Sequence, residues 1–207
     1  MNLRRLTHVQ RSTDNVNNAG ALVALDIEKA FNTLGWSYLW EVLNRMGFGP
    51  KFLSWIKLLY DRPAARVRLG TALSKVIPIE RGIRQGCPLS PLLFALAMEP
   101  LAIRLREVLS EQGIKIGDVM HIISLYADDA LVYVKDPRTA ITILMDTMEE
   151  FGKASGLLVN KSKTILFPLG SGTGIMETGD ESVGLTWERH HFRYLGMQIA
   201  SSPPSQI

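Results

Sequence analysis

Three carboxylates stand out by what surrounds them. Asp128 and Asp129 are adjacent acids inside HIISLYADDALVYV, His121 to Val134, an otherwise apolar fourteen-residue stretch. Carboxylates among apolar neighbours are costly unless they are paired or bound to cations. Magnesium suits such a doublet, because it takes one or two protein carboxylates together with phosphate oxygens and water. A third acid, Asp26, ends the apolar run ALVALD and is the natural companion, although 102 residues separate it from Asp128 and spacing alone does not bring them together. The competing reading is that Asp-Asp is simply a turn former.

The positive charge is concentrated in one place. Net charge is only +3, yet between Arg62 and Arg84 six basic residues (Arg62, Arg66, Arg68, Lys75, Arg81, Arg84) stand against Glu80 alone, giving +5 there and −2 for the rest. Such a patch is what a polyanion-binding surface needs, since neutralising phosphates releases counterions; a solvated strand-and-loop face is the plainer alternative. Other candidates are weaker. Cys87 has no His or Asn constellation beside it and reads as a packing residue. His190-His191 lacks a third ligand and reads as an exposed strand pair. GSGTG, Gly170 to Gly174, has no following Lys-Ser/Thr and reads as a flexible loop.

Composition bounds the rest. With 207 residues, 46% hydrophobic and 21% charged, the chain is long enough for a core and is neither disordered, collagenous nor a coiled-coil rod. Its single cysteine allows no intrachain disulfide and no Cys-based zinc cluster, and a reducing, intracellular compartment fits. The apolar runs Ala21 to Leu25 and Pro91 to Met98 fall short of the roughly 20 residues that a membrane helix requires, and no secretory signal opens the chain.

Alternating strand and helix signatures give a mixed class. Ala21 to Asp26 reads as a buried strand delivering Asp26 at its end. Two helices follow, about Ser37 to Met46 and Lys51 to Tyr60, broken by Gly47-Phe48-Gly49-Pro50. Ala65 to Gly70 and Lys75 to Gly82 alternate as a strand pair across Thr71 to Ser74, and this pair carries the basic patch. Ser90-Pro91 predicts a helix with Ser90 as its cap, running to about Leu109. Gly113 to Gly117 is a short strand or turn, and His121 to Val134 is a β-hairpin with the acids at its tip. Asp136-Pro137 opens a helix whose Ile141, Leu144, Met145, Met148 and Phe151 form one apolar face, ending near Gly156. A strand at Thr164 to Phe167, a loop over Pro168 to Gly184, a final hairpin over TWERHHFRYLGMQI, Thr186 to Ile199, and a frayed tail complete the chain.

Four motifs occur in order: Asp-Ile-Glu-Lys-Ala-Phe-Asn (26–32), Arg-Gly-Ile-Arg-Gln-Gly-Cys-Pro-Leu-Ser-Pro (81–91), Tyr-Ala-Asp-Asp (126–129) and Leu-Leu-Val-Asn-Lys-Ser-Lys-Thr (157–164). Over roughly Leu3 to Ile199 they resemble the reverse transcriptases of non-LTR, LINE-type retrotransposons, and Tyr194-Leu195-Gly196 resembles the primer-gripping hairpin that follows in that family. The resemblance implies an α+β, reverse-transcriptase-type palm. Its antiparallel sheet would bear the acids and be backed by helices around 90–109 and 137–155, with the fingers largely missing. Residues 1–20 would be a remnant of the fingers or a connector helix, 21–200 the palm, and 201–207 a tail.

The implied activity is RNA-directed DNA synthesis, nucleotidyl transfer to a primer 3′-hydroxyl. RNA template, DNA primer and deoxynucleoside triphosphates would be its partners, and two magnesium ions, or manganese, its cofactor. Asp26 and Asp128 would bridge the metals and the Ile27 carbonyl would add a ligand. Asp129 would assist, since strand alternation turns it partly away. Phe31 matches the aromatic position beneath the sugar, where bulk excludes a 2′-hydroxyl, with core packing as the alternative. Asn32 stands where the family usually has Asp, which implies tuning and not loss of activity. Gln85 and Gly86 would lie against the nascent base pair. Lys163, with Lys161 as runner-up, matches the lysine proposed to protonate departing pyrophosphate. Arg62, Arg66, Arg68, Arg81 and Arg84 would bind nucleic acid. The chain would be part of a larger retroelement protein, intracellular and nuclear when acting on genomic DNA, and inactive or nearly so by itself. A group II intron-type enzyme and a catalytically silent remnant that only binds nucleic acid are the alternatives.

Overall fold

A computed structural model of the chain describes residues 2–15, 20–170, 184–188 and 190–200. Helix α1 (Asn2–Asn15) is followed by strand β1 (Gly20–Leu25), then by the single-turn α2 (Ala30–Thr33), α3 (Trp36–Arg45) and α4 (Pro50–Leu59). Gly47 in the left-handed region and Pro50 opening α4 make the break between the last two. Four two-residue strands form a narrow ribbon: β2 (Ala64–Ala65), β3 (Arg68–Leu69), β4 (Ala72–Leu73) and β5 (Ile77–Pro78). Next come α5 (Ser90–Val108), the small hairpin β6 (Ile114–Ile116) and β7 (Val119–His121), and the hairpin β8 (Ile123–Tyr126) and β9 (Asp129–Val134). Helix α6 (Pro137–Ser155), β10 (Ile165–Leu169), β11 (Thr186–Trp187), β12 (His191–Tyr194) and β13 (Met197–Ala200) follow.

The main sheet has the order β11-β10-β1-β9-β8, antiparallel except for the β10–β11 edge pair. The first strand lies at its centre, and its period-two alternation serves both faces. Ala21, Val23 and Leu25 join Val132 and Val134 in a core with Leu39 and Leu43 of α3, Phe94, Met98 and Leu101 of α5, and Leu144 and Met148 of α6. Leu22 turns the other way, into a second core with Leu131, Tyr133 and Phe167. That face is covered by Leu6 and Val9 of α1 and by Phe192, Tyr194 and Ile199 of the last hairpin. The buried Tyr133 hydroxyl is satisfied by Ser124 Oγ at 3.1 Å. Among the described residues no helix is long and apolar enough to cross a membrane.

The α+β palm with its antiparallel sheet and two backing helices is the observed architecture, with local departures. Ser90 does not cap: it is itself the first helical residue, and Leu89, in a helical conformation, holds the cap position. The expected pair over 65–82 is two separate ladders, and its turn lies at Gly70-Thr71, where Gly70 supplies the positive φ. Gly113 to Gly117 is one arm of the β6–β7 hairpin. Pro168 and Leu169 belong to β10, not to a loop. Thr186-Trp187 extends the main sheet, so the last hairpin begins only at His191. It turns through Leu195 and Gly196, both at positive φ, the backbone that suits the right-handed twist of paired strands. Residues 171–183, with most of the GSGTG run, and the tail 201–207 lie outside the described residues.

Both ends of α6 are built as the sequence signals. Asp136 Oδ1 accepts the Arg138 N–H at 3.2 Å, and Thr139 Oγ1 donates to Asp136 Oδ2 at 2.7 Å. Gly156 closes the helix at φ 80°, donating to the Gly152 carbonyl, and a Cβ there would meet the Thr33 carbonyl oxygen at 2.7 Å. Asp136→Ala should therefore cost about 1 kcal/mol of stability, the usual value of a cap. Gly156→Ala should cost roughly 1–3 kcal/mol, from left-handed strain compounded by a backbone clash. Urea unfolding checks both as a lowered midpoint at unchanged slope.

Candidate active site

The register of β1 against β9 assembles the acids. The last paired positions are Leu25↔Ala130, so one step further Asp26 comes opposite Asp129, and directly opposed residues of an antiparallel pair share a face. Tyr126↔Asp129 closes the β8–β9 hairpin, leaving Ala127, at φ 53°, and Asp128 as its two turn residues. Asp129 is solvent-exposed as a residue, yet its carboxyl is held above the ordinary 3.8, first by partial burial, then by the charge of Asp128, then by that of Asp26. Asp129 therefore lies within the charge of both other acids. Strand alternation separates it from Asp128 along its own chain, but the same alternation faces it toward Asp26 across the ladder.

Asp26 is anchored through its backbone. Its N–H donates to Thr164 Oγ1 at 3.3 Å, and its carbonyl accepts the Asn160 N–H at 2.8 Å. Thr164 in turn donates to the Asn160 carbonyl at 2.9 Å, and Asn160 Oδ1 accepts from Ser162 Oγ and from the Lys163 N–H. The 160–164 turn thus holds both backbone groups of Asp26. Lys161 and Lys163 are exposed on that turn, on the segment tied to the acid. Asn160 and Thr164 are the positioning residues that sequence reasoning passes over: both lie in a quoted motif, but nothing local says that their bonds go to residue 26. The bridge Ile27↔Val159 is closed by its flanking residues, Glu28 N–H to Leu158 and Asn160 N–H to Asp26, a pattern that leaves the Ile27 carbonyl out of the pairing.

Phe31 sits on α2 and serves two surfaces. One face stacks on buried Phe94, with ring centroids 4.7 Å apart and planes 15° apart. The side chain also lines a pocket of about 410 Å³ with Asn32, Trp36, Tyr60, Arg84 and Gln85. The loop carrying Arg81 to Gln85 is pinned to α2 by Gly82 N–H to Leu34 O at 2.8 Å, Ile83 N–H to Phe31 O at 2.7 Å, and Trp36 Nε1 to Gly82 O at 2.7 Å. Only glycine fits at 82, where φ is +84° and a Cβ would lie 2.8 Å from the Asn32 carbonyl oxygen. Gly86, also at positive φ, faces open space, and Gln85 is exposed beside it. Cys87 is not a core residue: it is half-buried, and the Leu89 backbone N–H draws its thiol below the ordinary range.

The six basic residues of 62–84 are all exposed, and among the described residues none of them is in an ion pair. Their charge is turned outward. His191 is an exposed first residue of β12, and His190 lies outside that strand. Among the described residues no group of three or more His, Cys, Asp or Glu side chains is gathered to hold a metal ion as it stands. The donor set nonetheless suits a hard divalent cation. Asp26, Asp128 and Asp129 offer only oxygen, and the part of the Asp129 shift that comes from Asp128 and Asp26 is what a cation would relieve.

Comparison with known proteins bears on these features. The profile of the family described as "Reverse transcriptase (RNA-dependent DNA polymerase)" matches residues 1–199. The chain is 31% identical over 214 residues to the Transposon TX1 uncharacterized 149 kDa protein of Xenopus laevis, covering 99% of this chain and 15% of that protein. It is 32% identical over 139 residues to the Retrovirus-related Pol polyprotein from type-2 retrotransposable element R2DM of Drosophila melanogaster, covering 67% of this chain and 13% of that one. A type-1 element R2 polyprotein of Popillia japonica is 27% identical over 196 residues, with 90% and 26% covered. Among solved structures, apo telomerase of Candida tropicalis truncated from its C-terminal domain superposes with a TM-score of 0.65 at 12% identity, over 96% of this chain and 38% of that one. Telomerase of the same organism in complex with a TWJ fragment of telomeric RNA gives 0.61 at 13% identity, over 82% and 29%. At those identities the likeness shows the fold alone.

The raised Asp129 carboxyl has a direct consequence for stability. In metal-free buffer the folded chain keeps the Asp129 proton to higher pH than the unfolded chain does, so stability falls as pH rises from the ordinary value of 3.8 through the raised one. Asp129→Asn should raise the unfolding midpoint at pH 7, and the gain should vanish near pH 3, where the parent carboxyl is neutral. Urea titrations at the two pH values in EDTA check this; an equal gain at both would assign the effect to something other than charge.

Proposed function

This chain belongs to the reverse transcriptase (RNA-dependent DNA polymerase) family, and we propose that its strand-end acids form the nucleotidyl-transfer site of a retrotransposon RNA-directed DNA polymerase. What supports the reading is the ladder register that brings Asp26 opposite Asp129 at the end of the hairpin, where Asp128 and Asp26 both add their charge at Asp129. Asp26 and Asp128, with Asp129 and the Ile27 carbonyl, are the groups that would hold two magnesium or manganese ions. Bound there, such ions would supply activation of a primer 3′-hydroxyl and charge neutralisation for the leaving pyrophosphate.

The chain's own residues divide the remaining work. Phe31, fixed by its stack on Phe94, presents a rigid edge toward the sugar of an incoming deoxynucleoside triphosphate and leaves no room for a 2′-hydroxyl. Gly86 lets the backbone approach the nascent base pair, and Gln85 supplies a polar contact beside it. Lys163, on the turn that anchors Asp26, donates a proton to departing pyrophosphate. Arg62, Arg66, Arg68, Arg81 and Arg84 take phosphates of RNA template and DNA primer. Residues 21–200 act as the palm, with 1–20 as the connecting element. Because the chain spans only 13–26% of the curated relatives described above, other parts of such a polyprotein would contribute further partners.

Primer extension on an RNA template, by the polyprotein that carries this segment, tests the assignment. Asp26→Asn and Asp128→Asn should each lower extension on the order of 10²–10³-fold, as removal of one preorganised electrostatic group does, while template-primer affinity stays near that of the parent. Parent-like extension by either variant would sink the reading. In the same assay Phe31→Val should increase ribonucleotide relative to deoxynucleotide incorporation; unchanged discrimination would return Phe31 to packing alone.

A further inference from the structure

The ribbon between α4 and the 81–85 loop has two solvent-exposed faces, one carrying its arginines and one without charge. Alternation along Arg66-Val67-Arg68-Leu69, with the pairs Arg68↔Leu73 and Leu69↔Ala72, places Arg66, Arg68 and Leu73 on one face and Val67, Leu69 and Ala72 on the other. Neither face meets a core: Leu69 is 82% exposed and Val67 62%. An amphipathic strand pair ordinarily turns its apolar side inward. Here both sides point to solvent at the end of an arm.

The arm is shaped and not merely loose. Val67 N–H donates to Ser74 Oγ and Ser74 N–H to the Val67 carbonyl, both at 2.9 Å, and Arg68 Nε donates to the Gly70 carbonyl at 3.0 Å. Between the inner and outer ladders the outgoing strand advances three positions, Ala65 to Arg68, while the returning strand spends four, Leu73 to Ile77. The extra residue at Lys75-Val76 bends the ribbon, as a bulge does. Its root is closed by Ile79 N–H to the Pro63 carbonyl at 2.9 Å, and Pro63, Ile79 and Arg81 line the pocket shared with Phe31. The arm therefore rises from the rim of the candidate site.

We propose that this ribbon is a strand-separating pin, which parts an RNA duplex as its template strand enters the site. Arg66 and Arg68 take the phosphates of one strand, and Val67 and Leu69 press on the last closed base pair. The proposal rests on the nucleic-acid reading given above, and the occupant is chosen by complementarity. The +5 of residues 62–84 calls for a polyanion. An unbroken A-form duplex has a deep, narrow major groove and stacked bases, offering nothing to the apolar face. A fork offers phosphates to one side and an exposed base pair to the other, and apolar side chains inserted at base steps are a known way to unstack them.

The test uses the chain itself with three RNA probes, a single strand, a blunt duplex and a forked duplex, the last two carrying 2-aminopurine at the terminal or junction pair. The parent should bind the fork roughly tenfold more tightly than the blunt duplex, the scale of partly burying one large apolar side chain, and should brighten the junction fluorophore. The double variant Val67→Ser/Leu69→Ser, and Leu69→Ser alone as the milder change, should lose the preference and the brightening but keep the parent's salt dependence. Arg66→Ala/Arg68→Ala should keep the preference while the slope of log affinity against log salt shrinks by about 1.4, two single-strand phosphate contacts. Unaltered fork preference and brightening in the serine variants would overturn the pin, as would an unaltered slope in the arginine variant. Failure of the parent to bind any probe at low salt would instead strike the nucleic-acid reading on which the pin stands.

Discussion

Everything at the candidate site depends on one backbone ladder, the antiparallel pairing of β1 with β9. The three carboxylates gain nothing from one another; the Asp129 carboxyl is raised first by partial burial and then by the charges of Asp128 and Asp26. What keeps them adjacent is the run of paired positions from Ala21↔Val134 to Leu25↔Ala130, buried on both faces of the sheet. The 160–164 turn completes the restraint by taking the N–H and carbonyl of Asp26, the first residue past the ladder. The cost of placing like charges near one another is thus met by apolar burial and backbone hydrogen bonds. Such local conflict within a consistent fold is where function is expected to reside.

The same economy recurs at Phe31. Stacking on Phe94 fixes the ring from below and leaves its remaining surface to the pocket. The loop that completes the pocket is held to the same short helix by backbone bonds from Gly82 and Ile83. Displacement of α2 would therefore shift the ring and the Arg84–Gln85 segment together.

Features written in local chemistry were legible in the sequence. Asp136-Pro137 and Gly156 bound α6 because capping and left-handed closure depend on neighbouring residues only. The Ala127-Asp128 turn and the two helices around GFGP are local in the same sense. The palm class and the membership of Asp26, Asp128 and Asp129 in one site came from four ordered motifs, since no periodicity reveals which strand lies beside which. Non-local facts stayed hidden. Leu6, Val9 and Phe192 cover the second face of the sheet, but their spacing does not announce that face. Ser90 offered a capping hydroxyl, yet the turn from Cys87, whose carbonyl accepts the Ser90 N–H, starts the helix one residue earlier than the chemistry suggests. The ribbon's alternation was visible, but its bulge and outward projection follow from a register set by Ser74 with Val67 and Pro63 with Ile79.

The central place of β1 also bears on how the chain is made. On a ribosome Gly20 to Leu25 emerges before its partners β9 and β10, which end at Val134 and Leu169. At ordinary elongation rates the strand waits roughly 5–20 s for its nearer partner. During that interval GALVAL has two unsatisfied edges and apolar side chains on both sides, the signature of a segment that pairs with whatever is at hand. The β8–β9 hairpin is local and forms as soon as it is synthesised, so closure of the ladder, and with it the meeting of the acids, falls late in folding. Correct assembly of the sheet thus turns on the shielding of one six-residue strand on the nascent chain until β9 is made.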